Sequence, residues 1–155
     1  MVLWLVVLFG WLVMLVKNTN DVPALEVGSS SDIIIIDNNK DVGDIPMSKW
    51  KLQTPFDFVN NWTESVTLWA ATTSCMCTEA IVVLSGDQSP TITMHTTIDL
   101  DLTIAPWEKA RLVAVFDPNA HGPDAIWPIN RHVYIETNSA KTPQLDFVFN
   151  GDVIK

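Results

Sequence analysis

"TITMHTTIDLDLTI", residues 91–104, decides the fold class. Its even positions are Ile92, Met94, Thr96, Ile98, Leu100, Leu102 and Ile104. Its odd positions are Thr91, Thr93, His95, Thr97, Asp99, Asp101 and Thr103. Side chains of an extended chain alternate between two faces, so one face of this stretch is largely apolar and the other polar. The spacing predicts a half-buried antiparallel strand over all fourteen residues.

Working outward, other short β-branched or aromatic runs recur between turn signals. "DIIIID" (32–37) reads as a compact buried strand, and "KLQTPFDFVN" (51–60) puts Phe56 and Phe58 on one face, with Pro55 marking an edge or bulge. "SVTLWAATT" (65–73) alternates Val66, Leu68 and Ala70 against Thr67, Trp69 and Ala71. "AIVVLS" (80–85) ends at Gly86 in the turn "GDQSP". "KARLVAVF" (109–116), "INRHVYIET" (129–137) and "QLDFVFNG" (144–151) follow, the last with Leu145, Phe147 and Phe149 on one face. The expected fold is all-β, an immunoglobulin-like antiparallel β-sandwich of 7–9 strands over residues 32–155, preceded by an N-terminal hydrophobic helix.

That helix is expected in "MVLWLVVLFGWLVMLV" (1–16), which carries no charged side chain. As a helix, fifteen apolar residues span about 22 Å, workable as a membrane anchor with Trp11 and Lys17 near the interface. A cleaved signal and a buried core helix are the alternatives, although no basic n-region or A-x-A site is visible. Lys17 alone favours keeping its C-terminal side inside. "KNTNDVPALEVGSSS" (17–31) reads as a linker. The whole chain has 155 residues, 48% apolar and 17% charged, which excludes wholesale disorder. Its net charge of −9 and the lack of a basic cluster argue against a nucleic-acid partner.

Six motifs follow one another in a familiar order. "DVGDI" (41–45) keeps Asp41, Gly43 and Ile45 of a D-F-G-x-I pattern, and "FDFVNN" (56–61) supplies Phe56, Phe58 and Asn60 of F-x-F-x-N. "SCMCT" (74–78) stands for S-C-G-C-T, and "IAPWE" (104–108) for I-A-P-G-E. Phe116, Asp117 and Pro118 form F-D-P, and "VYIETNS" (133–139) with "FVFNGDV" (147–153) closes the series. The chain resembles, over residues 32–153, the bacterial family called domain of unknown function fifteen-seventy-three, related to the hydin and major-sperm-protein sandwiches. The resemblance implies an immunoglobulin-like domain outside the cytoplasmic membrane, with no established catalytic residues. Met76 and Trp107 replace glycines of the pattern, so the backbone at both is expected to avoid positive φ. Residues 80–103 exceed the family's usual connection and are expected to add a hairpin.

The only cysteines, Cys75 and Cys77, flank Met76. Extended residues i and i+2 lie about 6.6 Å apart on one face, near the upper limit for a disulfide, so a bond between them needs local bending. Two thiolates and a thioether suit a Cu(I)-type ion, making Cys75, Met76 and Cys77 the candidate metal ligands. Met94 and His95 would be extra ligands, but period two places them on opposite faces. The other reading makes the cysteines small buried hydrophobes at a strand end.

A Cys77–His121–Asp124 nucleophilic set has no support in its spacing, and His95 and His132 fall on polar strand faces. Asp99 and Asp101 share a face without a calcium-loop pattern. Asn61-Trp62-Thr63 fits a glycosylation acceptor and is incidental in a bacterial protein. Trp107 and Trp127 lie in turn-rich loops and together would make an apolar anchor for a protein or glycan of the cell envelope. The expected function is a non-catalytic envelope interaction or scaffold module without cofactor, anchored through residues 2–16. The alternative is a thiol-based Cu(I)-binding or redox protein.

Overall fold

The computed structural model describes residues 31–155 apart from Thr96. The expected anchor at 1–16 and nearly all of the linker at 17–31 lie outside the described residues. Ser31 already belongs to the domain: it is fully buried, and its hydroxyl donates to the Glu64 carbonyl.

Ten strands are described: β1 (Ile33–Ile35), β2 (Asn39–Pro46), β3 (Leu52–Asn60), β4 (Val66–Thr73), β5 (Thr78–Leu84), β6 (Asp87–Gln88), β7 (Ile98–Ile104), β8 (Lys109–Phe116), β9 (Pro128–Thr137) and β10 (Gln144–Ile154). They form two five-stranded sheets, ordered β1-β3-β8-β5-β6 and β2-β10-β9-β4-β7. The inward faces of both sheets supply one core, so the molecule is a two-layer β-sandwich. Phe56 and Phe58 of the first sheet meet Phe147 of the second at ring-centroid distances of 5.6 and 5.3 Å. Phe116 meets Phe149 at 6.1 Å.

The expected 7–9 strands become ten because β2 and the two-residue edge piece β6 join those expected from the sequence. The expected all-antiparallel pairing also needs correction, since β2 runs parallel to β10. β2 carries no strand signal in its sequence, because "NKDVGDIP" shows no apolar alternation and only its Ile45 is buried.

The opening stretch is corrected too. Ile92 makes an isolated bridge to Ala80 of the first sheet, whereas β7 pairs with β4 of the second. The chain therefore changes sheets between residues 93 and 97. Ile92, Leu100 and Ile104 are all buried, so the apolar parity survives the crossing. The core lies between the sheets, and alternation reports which side faces it without saying which sheet supplies the hydrogen bonds.

Other local expectations meet local causes. β5 and β6 form a short hairpin, with Ser85 (φ 53°) and Gly86 (φ 94°) in a two-residue turn whose positive φ values match the strand twist. Pro55 sits where β1 has ended: the neighbouring Asp57 carbonyl still accepts from Ile36, and the Pro55 carbonyl accepts from the Lys40 ammonium. The missing N–H thus falls on an open edge. In β4 the register with β9 slips between Leu68 and Ala70, so Ala71 turns inward and is buried, against its expected outward parity.

Candidate functional site

The strands place the connections at two ends. One end gathers the turn 74–77, the loop 117–127, the loop 47–51 and the crossing 93–97. The other gathers residues 61–65, 105–108 and 138–143. An eight-residue strand such as β8 separates them by roughly 25 Å.

At the first end the turn 74–77 carries the chain from β4 in one sheet to β5 in the other. Thr73 Oγ1 donates to the carbonyls of Cys75 and Thr78, and Thr78 N–H donates to the Cys75 carbonyl at 3.0 Å. This closes a tight turn whose flanks are tied to both sheets. Ser74 N–H donates to the His132 carbonyl of β9, and His132 N–H returns a bond to Ser74 Oγ. Asp117 N–H, just past β8, donates to the Cys77 carbonyl. The turn supplies the bending that an extended strand lacks. The Cα atoms of Cys75 and Cys77 approach to 5.2 Å and the sulfurs form a disulfide.

The two sulfurs have different surroundings. Cys77 is 3% exposed, and Arg131 Nε donates to its Sγ at 3.2 Å. Arg131 is half-buried, with its guanidinium 5.8 Å from the Phe116 ring centroid, and desolvation lowers its pKa from the ordinary arginine value. Cys75 is half-buried, receives the Cys77 N–H at 3.3 Å and has His121 Nε2 at 3.5 Å. His121 is placed by turns within its loop: Asn119 N–H donates to Asp117 Oδ1, and Gly122 (φ 89°) N–H donates to the Asn119 carbonyl. Its ring lies 6.3 Å from that of Trp127.

The ligand-type atoms brought together are the sulfurs of Cys75 and Cys77 and a ring nitrogen of His121, all within 4.8 Å. Met76 is 61% exposed, and Met94 and His95 are exposed on the crossing segment. Among the described residues, Asp99 and Asp101 join no cluster of three potential metal ligands, and no hydrogen bond links His121 to Asp124. His132 pairs instead with Asp146 at 2.9 Å and stacks on Tyr134 at 5.5 Å.

Trp107 and Trp127, 60% and 44% exposed, lie at opposite ends, so the single anchor expected from the pair does not form. Trp107 stands on the turn after β7, where its N–H donates to the Asn60 carbonyl. Its φ is 64°, against expectation, whereas Met76 keeps the expected negative φ. Trp127 has different company at its own end: Trp50, Met76, Met94 and Ile126 are the other exposed large apolar residues there.

Arg131 is not among the residues expected at the site, although the sequence carries a signal for it. In β9 the buried residues Ile129, Val133 and Ile135 share the parity of position 131, so a cation stands on a core-facing row. His121 enters the sequence reading only within the unsupported Cys77–His121–Asp124 set, because loop residues carry no period.

Fold and corner together define a two-layer β-sandwich domain with a disulfide at one sheet-to-sheet turn. No protein-family model and no curated protein matches the sequence. Among solved structures, a protein of unknown function from Porphyromonas gingivalis W83 is similar, with TM-score 0.60, 15% identity, and coverage of 85% of this chain and 51% of that one. The secreted serine protease VesC from Vibrio cholerae is similar over 78% of this chain and 23% of its own, with TM-score 0.50 and 12% identity. An ASH/PapD-like domain of human CEP192 has TM-score 0.48 and 15% identity over 81% of this chain and 87% of its own. The likeness shows the fold alone, and the chain spans about half the length of the Porphyromonas protein.

Proposed function

We propose that this chain is a non-catalytic interaction module of the cell envelope that docks a protein partner on the end carrying Trp127. The observation that carries the reading is the exposure of Trp50 (87%), Met76 (61%), Met94 (47%), Ile126 (41%) and Trp127 (44%) on four connections at one end. Large apolar side chains gathered in this way mark interaction surfaces, and tryptophans commonly carry the binding energy. The order of six motifs supports membership in the fifteen-seventy-three family and an immunoglobulin-like classification. The apolar run 2–16 supports anchoring in the cytoplasmic membrane with the domain on the extracytoplasmic side.

The test is site-specific photo-cross-linking in intact cells. A probe at Trp127 or Trp50 is expected to capture one discrete protein partner that a probe at Trp107 does not. Capture at Trp107 alone would move the docking surface to the other end. A glycan partner would give no protein adduct and would appear as binding of the purified chain to isolated envelope glycan.

A soft-metal site is the second reading, favoured by the Cys75, Cys77 and His121 cluster. It requires prior reduction of the disulfide, and the Arg131 guanidinium 3.2 Å from Cys77 Sγ repels a cation there. Anaerobic Cu(I) titration of the reduced chain against Cys75→Ser and Cys77→Ser tests it. Equal binding by all three removes the reading.

A further inference from the structure

Arg131 has a half-buried guanidinium whose Nε donates to Cys77 Sγ at 3.2 Å and whose Nη1 donates to the Asn130 carbonyl at 2.9 Å. Among the described residues no carboxylate pairs with it. A desolvated cation without a counter-ion is unfavourable. In the disulfide, the sulfur at its tip is neutral and a weak acceptor. When the bond is cleaved by attack at Cys75, that sulfur departs as a thiolate. The guanidinium is therefore complementary to Cys77 as it gains charge and mismatched to Cys77 in the bond.

Cys75 differs in access and in partner. It is half-buried where Cys77 is 3% exposed, and it faces His121 of an exposed loop at 3.5 Å. An incoming sulfur reaches Cys75 first, and the electron pair released by attack there arrives on the sulfur beside the cation. Lower thiol pKa makes a better leaving group in such exchange.

We propose that Cys75–Cys77 is an exchangeable disulfide that accepts two electrons from a protein dithiol, with Cys75 as the attacked sulfur and Cys77 as the leaving thiolate held by Arg131. In the first step one donor thiol loses its proton to His121 Nε2 and attacks Cys75 Sγ. The Cys75–Cys77 bond breaks and its electron pair moves to Cys77. In the second step the other donor thiol, its proton lost to solvent, attacks the donor sulfur of the mixed disulfide. The donor is oxidised to a disulfide, and Cys75 leaves as a thiolate and takes the proton from His121. This activity stands on the corner itself and does not need the docking surface.

The test uses the full-length chain and dithiothreitol as the dithiol, with alkylation and mass spectrometry following reduction. Arg131→Met is expected to slow reduction roughly tenfold and Arg131→Lys to restore most of the rate. With reduced Cys75→Ser, thiolate absorbance against pH should show the Cys77 titration about one unit higher once Arg131 is also replaced by Met. A misfolded but uninvolved position would not give rescue by lysine together with that shift. Oxidised glutathione should form a mixed disulfide readily with reduced Cys77→Ser, through Cys75, and slowly with reduced Cys75→Ser. Equal reduction rates in wild type and Arg131→Met would overturn the proposal, as would preferential modification at Cys77. Because dithiothreitol needs no docking, failure of the envelope-partner reading leaves these outcomes interpretable.

Discussion

Trp107 has a left-handed backbone at a place where glycine would be at ease, and its indole stands 60% exposed. A non-glycine residue in that region costs about 1 kcal/mol. Trp107→Gly is therefore expected to raise stability by up to about 1 kcal/mol, read by urea denaturation, while Trp107→Ala brings no such gain. The turn is imposed from beneath. Asn60 Nδ2 reaches the carbonyls of Glu64, Ile104 and Ala105 at 2.7, 3.2 and 3.2 Å, and the Asn60 carbonyl receives Trp107 N–H. Asn60→Ala strips three carbonyls of a partner and should cost about 3 kcal/mol, seen as a lower urea midpoint. Gly151 is required for a different reason. A Cβ there would lie 2.6 Å from the Gly43 carbonyl oxygen, across the register break of β2 and β10. Gly151→Ala must force those strands apart and should cost about 2 kcal/mol.

At the scale of elements, Asp57 and Arg111 face each other across β3 and β8. Arg111 Nε donates to Asp57 Oδ1 at 2.6 Å, and this bond holds the Asp57 carboxyl below its ordinary value. A depressed carboxyl pKa contributes stability above the unfolded value, and that contribution is lost as pH falls through the folded value. Asp57→Asn should thus be slightly less stable than wild type at neutral pH, with the gap closing in acid titrations below the usual aspartate range. Solvent exposure keeps the effect small.

The strands were legible where apolar residues alternated, as in β3, β8, β9 and β10. The split of 91–104 was not legible, because a strand that leaves one sheet for the other keeps its face toward the common core. β2 was invisible because its edge position buries little besides Ile45. The corner was half legible. Cys75 and Cys77 marked the place, but the turn that brings them to 5.2 Å rests on hydrogen bonds with Asp117, just past β8, and with His132 of β9, both distant in sequence.

For the whole molecule, the disulfide closes a very short loop, so it restricts the unfolded chain little. Loop entropy assigns it about 1.6 kcal/mol, about half of what a fifteen-residue loop gives. The double variant Cys75→Ser, Cys77→Ser should therefore remain folded, with a thermal midpoint only a few degrees lower. A collapse of the fold would show that the bond serves the scaffold rather than exchange.

The described chain enters the sandwich at Ser31, pinned to Glu64 and to Ser139 at the Trp107 end, and reaches Lys155 at the end that carries the disulfide. With residues 2–16 in a bilayer, as proposed above, this polarity gives the domain a near pole and a far pole. On that proposal Trp107 stands at the pole where the tether enters, and Trp127 with the Cys75–Cys77 bond stands at the opposite pole. The fourteen residues from 17 to 30, fully extended, allow a tether of up to about 48 Å, and the sandwich adds roughly 25 Å more. A thiol donor or a docking protein would then meet this module well clear of the membrane surface.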